Sequence, residues 1–152
     1  MKKYDVITFG SGLVDAFLDC DFHEDKGMIH LPAGTKISVK NIKFSVGGGG
    51  TNTAASFSKL GLKTGFLGKV ANGNNSNIIL DQLKQHNVDF LGCKSKDKNE
   101  HAGYSIVLLT DKKNRTILTY KGASNTLKTS ELDFKKINTN WIHFTSMDGI
   151  AF

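Results

Sequence analysis

Cysteine is scarce in this chain. Cys20 and Cys93 are the only two, too few for a disulfide framework and not at metal-ligand spacing, so a reduced, cytoplasmic setting is the default expectation. Proline is scarcer still: Pro32 stands alone, and no proline-rich or low-complexity linker divides the sequence. No apolar run approaches the roughly 20 residues of a membrane-spanning helix. Met1-Lys2-Lys3 leads into a short strand carrying Asp5, too polar for a secretion signal. Acidic residues number 14 against 20 lysines and arginines, a net charge of +6. The excess is dispersed, however: Lys94, Lys96 and Lys98 are interrupted by Asp97 and followed by Glu100, the pattern of a solvated loop. Without a basic run interleaved with aromatics, neither nucleic acid nor a membrane is an expected partner. The five histidines are scattered, with no pair at ligand spacing, so no metal site is expected.

What is present suits one domain. The 152 residues, 39% of them hydrophobic, suffice for a sizeable core. Tyr4 to Phe9 is a short apolar run closed by Gly10, the form of a buried parallel strand. Phe17 to Cys20, Met28 to Leu31 and Ile42 to Val46 are strand-like runs separated by turn formers such as Pro32 and Gly34. A helix with Ala54, Ala55, Phe57 and Leu60 on its apolar face is stopped by Gly61. Thr64 to Val70 is a further strand, Ile78, Ile79, Leu80 and Leu83 mark an amphipathic helix ending near Asn87, and Val88 to Leu91 is another strand. Ser105 to Leu109 and Thr116 to Tyr120 flank Asp111-Lys112-Lys113-Asn114 as a hairpin, and Trp141 to Thr145 is the last strand. Strands alternating with helices predict an α/β fold with a mainly parallel sheet.

Between Val46 and the first helix stand Gly47, Gly48, Gly49 and Gly50, followed by Thr51-Asn52-Thr53-Ala54. Such residues lack a Cβ, admit positive φ and let a ligand touch the main chain at a helix N-terminus. Four consecutive glycines weaken a mere turn, which favours a binding loop over a tight turn beneath a small-residue helix. Asn52 both donates and accepts, and so suits a neutral polyhydroxylated partner. Gly10-Ser11-Gly12-Leu13-Val14-Asp15 has the outline of a dinucleotide fingerprint, but Asp15 replaces the third glycine and would repel a pyrophosphate. A carboxylate read at the C-terminal end of the first strand lies instead where open α/β sheets bind ligands, and it accepts hydrogen bonds from vicinal hydroxyls. The competing role is a turn cap. Gly68-Lys69-Val70 is no phosphate loop, since neither Ser nor Thr follows the lysine, and Lys69 is read as ending a strand. Gly12 and Asp148 are further candidates to face a substrate.

The glycine segment resembles the first signature of the PfkB (ribokinase-like) family of carbohydrate and nucleoside kinases. Gly47, Gly48, Gly50, Asn52, Ala54 and Gly61 all fall at the positions of that pattern, and Ala71 stands where it ends in glycine. The resemblance implies a mainly parallel Rossmann-like sheet flanked by helices, with a small β-sheet lid formed by strands within about 16–46 and 101–121. It implies that Asp15 binds substrate hydroxyls together with Gly48, Gly49, Gly50 and Asn52. Leu13 falls where ribokinase-like members often carry a polar sugar contact. Ala71-Asn72-Gly73-Asn74-Asn75-Ser76 departs from the usual Gly-x-Asp-x-x-Gly, which marks a divergent member. An apolar second face of the lid, with Phe17, Ile29, Ile106 and Leu108 as candidates, would favour a homodimer.

In the resembled family the catalytic base and the anion hole lie in a Gly-Ala-Gly-Asp motif of a second half, with ATP as donor and Mg²⁺ as cofactor. Gly122-Ala123-Ser124-Asn125 lacks the second glycine and the aspartate, and no such motif occurs elsewhere in the sequence. Residues 1–152 therefore read as the sugar-binding, N-terminal part of a carbohydrate kinase, with no catalytic residue and no ATP or Mg²⁺ bound by this chain alone. The alternatives are a non-catalytic sugar-binding or dimerisation module and a fragment of an adenosine-like nucleoside kinase.

Overall fold

The computed structural model describes residues 2–145. In chain order it runs β1 (Val6–Phe9), β2 (Leu13–Phe22), β3 (Glu24–Asp25), β4 (Met28–Ile29), β5 (Asn41–Gly47) and α1 (Gly49–Lys59). There follow β6 (Thr64–Leu67), β7 (Lys69–Val70), α2 (Asn74–Gln85), β8 (Asp89–Phe90) and β9 (Cys93–Lys94). The described part closes with β10 (Gly103–Thr110), β11 (Arg115–Tyr120), three short 3-10 turns between 122 and 136, and β12 (Ile142–Phe144).

The central sheet has the order β12-β1-β6-β8, and every pair in it is parallel. All four residues of β1 are buried because both faces of the sheet are covered, which is why the strand reads as a continuous apolar run. On one face α1 and α2 enclose Ala54, Phe66, Ile79, Leu83 and Val88. On the other, Ile7, Phe9, Leu67 and Leu91 pack with Leu127. Both helices end as their sequences predict: Gly61 (φ 88°) and Asn87 (φ 54°) take the left-handed conformation just past α1 and α2. The class is α/β with a parallel central sheet.

Several expected elements differ in extent. Thr64 to Val70 is not one strand, for Gly68 interrupts it and β7 turns to pair with β9. A Cβ on Gly68 would lie 2.7 Å from the carbonyl oxygen of Gly10, so only glycine lets the two segments touch there. Met28 to Leu31 contributes only β4, half of a two-residue hairpin with β3 turned by Lys26 and Gly27 at positive φ. The run Phe17 to Cys20 is part of a ten-residue strand beginning at Leu13.

That long strand belongs to a second sheet of order β11-β10-β2-β5. β10 and β11 form the expected hairpin, yet β10 lies parallel to β2, and β5 antiparallel to it on the other side. The register sorts the side chains. Ser45, Asp15, Ser105 and Thr119 stand in one row across four strands; Phe44, Ala16, Ile106 and Leu118 form the next, on the opposite face. Phe17 pairs with Lys43 and Val107, and thus shares the Asp15 face rather than that of Ile106 and Leu108.

Candidate functional site

The turn after β1 and the start of α1 are built against each other. Ser11 O accepts hydrogen bonds from the N–H groups of Gly50 (3.0 Å) and Thr51 (3.4 Å). Two donors that a helix start would otherwise leave open are thereby satisfied within the chain. The helix begins at Gly49, one residue past its N-cap Gly48, so Gly49 and Gly50 are helical rather than loop residues. Of the first three helical amides this leaves Gly49 for a ligand, among the described residues.

An open cavity of about 350 Å³ lies where this helix start meets the second sheet. Asp15, Gly48, Gly49 and Asn52 line it together with Ser11, Leu13, Ser105, Ile117, Thr119 and Lys121. Four of the residues singled out from the sequence are therefore brought to one place. Asp15 is not at the end of the first strand, as the sequence suggested. It is the third residue of β2, in register between Ser45 and Ser105. Its carboxylate occupies the space in front of Gly47, where an added Cβ would come within 2.0 Å of Oδ2. Gly48 holds φ 102°, and a Cβ there would lie 2.4 Å from Ser11 O.

Gly50 and Gly12 do not line the cavity. A Cβ on Gly50 would meet the Phe66 ring at 2.5 Å and the backbone of Gly10 at 2.8 Å, and one on Gly12 would meet Thr51 at 2.9 Å. Close packing of α1 on the strand ends accounts for both. Asp148 lies outside the described residues. Ser105 and Thr119 are the residues the sequence reading missed; the Ser105 hydroxyl donates to Thr119 Oγ1 at 3.2 Å. Their facing positions across the predicted hairpin were the available signal.

The cavity offers a carboxylate, a side-chain amide, three hydroxyls, an ammonium and a main-chain N–H, with Leu13 and Ile117 as apolar walls. That mixture of acceptors and donors fits the alternating hydroxyl and C–H surface of a sugar ring. A larger opening of about 490 Å³ lies at the far end of the second sheet, beside Glu24, Lys113 and Arg115. Its buried carboxylate is already engaged, accepting from Thr110 Oγ1 at 3.0 Å and Asn114 Nδ2 at 2.8 Å, and it serves to fix the hairpin turn. No three His, Cys, Asp or Glu side chains gather as a metal site among the described residues. No described helix is long and apolar enough to cross a membrane.

The sequence profile of the pfkB family carbohydrate kinases matches residues 5–149. The chain belongs to the PfkB family. It is 29% identical over 147 residues to an ATP-dependent 6-phosphofructokinase of Thermoanaerobacterium thermosaccharolyticum, covering 95% of this chain and 41% of that protein. It is 25% identical over 144 residues to a 5-dehydro-2-deoxygluconokinase of Clostridium botulinum, covering 95% and 38%. The fold superposes on ribokinase from Giardia lamblia with a TM-score of 0.77 at 17% identity, over 99% of this chain and 43% of that one. The architecture of this PfkB member is thus ribokinase-like, and the chain spans about two fifths of the length of these relatives.

Proposed function

We propose that residues 1–152 are the acceptor-binding part of an ATP-dependent carbohydrate kinase, with the second sheet as a lid over the sugar, its strands overlapping the expected lid segments of about 16–46 and 101–121 but beginning earlier, at Leu13. The observation that carries this reading is the convergence of Asp15, Asn52, Gly48 and Gly49 on one cavity walled by lid residues. Asp15 accepts hydrogen bonds from ring hydroxyls, Asn52 both donates and accepts, and the Gly49 N–H donates. Ser105 and Thr119 approach from the lid, while Leu13 and Ile117 cover the C–H face of the ring.

Phosphoryl transfer to a sugar hydroxyl further requires a base and a preorganised anion site, and ATP with Mg²⁺ would supply the phosphoryl group and neutralise its charge. The described residues gather no site fit for these, and the reading assigns them to the further sequence of a complete family member. The state of β12 supports that division. It forms the outer edge of the central sheet, with Trp141 and Phe144 at 65% and 66% exposure, a surface suited to further strands and helices. Cys20 and Cys93 are unpaired, in keeping with a reduced, cytoplasmic setting. The apolar lid face, where Ile42, Phe44, Leu118 and Tyr120 are about half exposed, is proposed to pair with a second copy.

Titration of the chain with hexoses, hexose phosphates, sugar acids and nucleosides tests the reading and chooses among acceptors. At least one carbohydrate binds, and Asp15→Ala weakens it by about 10- to 100-fold, the effect of losing a hydrogen bond to a charged group. Binding of the sugar unchanged by Asp15→Ala overturns the assignment, and binding of nucleosides alone replaces a sugar acceptor with a nucleoside.

A further inference from the structure

Four segments join the second sheet to the rest of the molecule: residues 10–12 before β2, Gly48 after β5, residues 95–102 before β10 and residues 121–131 after β11. The 3-10 turn Gly122–Thr126 draws three of them together. The Ser124 hydroxyl donates to Gly12 O at 3.2 Å, the Ala123 N–H donates to His101 O at 2.9 Å, and the Thr126 hydroxyl donates to the Glu100 carboxylate.

One buried cation completes this arrangement. Lys69 Nζ lies 3.3 Å from Glu100 Oε2 and 3.0 Å from Glu131 Oε1, and it donates to Thr126 O at 3.3 Å. The three side chains are only 7%, 12% and 23% exposed. Each comes from a different part of the chain. Lys69 is on β7, directly after the central strand β6; Glu100 stands just before β10; Glu131 lies on the path that returns from β11. Burial opposes the charge on Lys69, but the hydrogen bonds it donates to Glu131 and Glu100 outweigh it and hold the ammonium above the usual lysine pKa. Burial likewise opposes ionisation of Glu100, yet hydrogen bonds from Ser95, Thr126 and Lys69 hold its carboxyl below the usual range. Glu131, also penalised by burial, is held low by the Lys128 N–H and by Lys69.

We infer that Lys69, Glu100 and Glu131 form a clamp at the root of the second sheet, fixing the sheet's later two connections to β7, which follows the central strand β6, and so setting its angle over the acceptor cavity. Apolar side chains would fill such a space at least as stably, whereas a charged triad specifies which segments meet and in what geometry. The glycine-rich earlier connections, 10–12 and 47–48, are the ones able to absorb a hinge motion. The later pair is tied to β7, so opening of the sheet has to strain or break the clamp. That the sheet covers a sugar rests on the function proposed above; that the clamp holds the sheet does not.

Native-state hydrogen exchange on the 152-residue chain and its variants is the test. In Lys69→Met, peptides from 103–120 exchange faster relative to those of 5–9 and 64–67 by about tenfold, the signature of local rather than global opening. Glu131→Gln gives the same pattern more weakly, and Lys69→Arg, which keeps the charge and forks between two carboxylates, restores the parent ratio within about twofold. An unchanged ratio in both Lys69→Met and Glu131→Gln overturns the inference, since it means that the triad stabilises the whole fold without governing the sheet. If Lys69→Met does not fold, Glu131→Gln decides by the same ratio.

Discussion

The glycine run shows how differently neighbouring residues of one type are used. Gly47 leaves room for the Asp15 carboxylate, Gly48 supplies a positive φ, Gly49 lines the cavity, and Gly50 lets α1 approach Phe66 and Gly10. Four glycines before a helix read as a candidate binding loop, but the sequence could not say which of them line the cavity, because that depends on what packs behind each. The division makes a discriminating pair of variants. Gly50→Val inserts a side chain where its first carbon already overlaps ring and backbone, so it lowers the melting temperature steeply or prevents folding. Gly47→Ala meets the movable Asp15 carboxylate first, so the fold survives while sugar binding falls by about tenfold or more. Thermal melts alongside titrations check this; equal loss of stability in the two variants counts against the separation of roles.

Local signals served well for helices and hairpins. Gly61 and Asn87 end their helices where left-handed residues are wanted, and Asp111 to Asn114 turns the β10–β11 hairpin. The start of β2 was not legible, since Leu13 and Val14 follow a glycine turn and look like its tail. Nor was the pairing of β2 with β10, whose register joins Asp15 to Ser105 across some ninety residues of chain; no local pattern encodes a non-local parallel pair. That pairing places Ile106 and Leu108 on one face and Phe17 on the other, which corrects the expected apolar face. Its exposed part consists of Ile42, Phe44, Leu118 and Tyr120. If this face pairs two copies, Leu118→Lys combined with Phe44→Glu shifts the sedimentation coefficient from dimer to monomer with no loss of secondary structure. A parent chain that is already monomeric at high concentration removes the proposed dimer.

At the scale of the whole molecule, binding an acceptor and transferring a phosphoryl group are separate demands, and the function proposed above assigns only the first to the described residues. In phosphoryl transfer nearly all the acceleration comes from positioning two reactants together and from stabilising charge on the transferred group. The cavity holds one carboxylate, Asp15, to which the proposed function gives the substrate hydroxyls, and one ammonium, Lys121, but no ring of amides around a phosphate. The amides best placed for such a ring, those of Gly50 and Thr51, are bonded to Ser11 O. The chain on its own is therefore expected to release no ADP from ATP and Mg²⁺ above the uncatalysed rate, with or without the sugar that titration identifies. A coupled ADP assay on the purified chain decides it. Sugar-dependent turnover that Asp15→Ala abolishes would place a base and an anion site within residues 1–152, and Asp148 would be the first to substitute. Turnover that persists in Asp15→Ala would point to a contaminating kinase and leave the expectation standing.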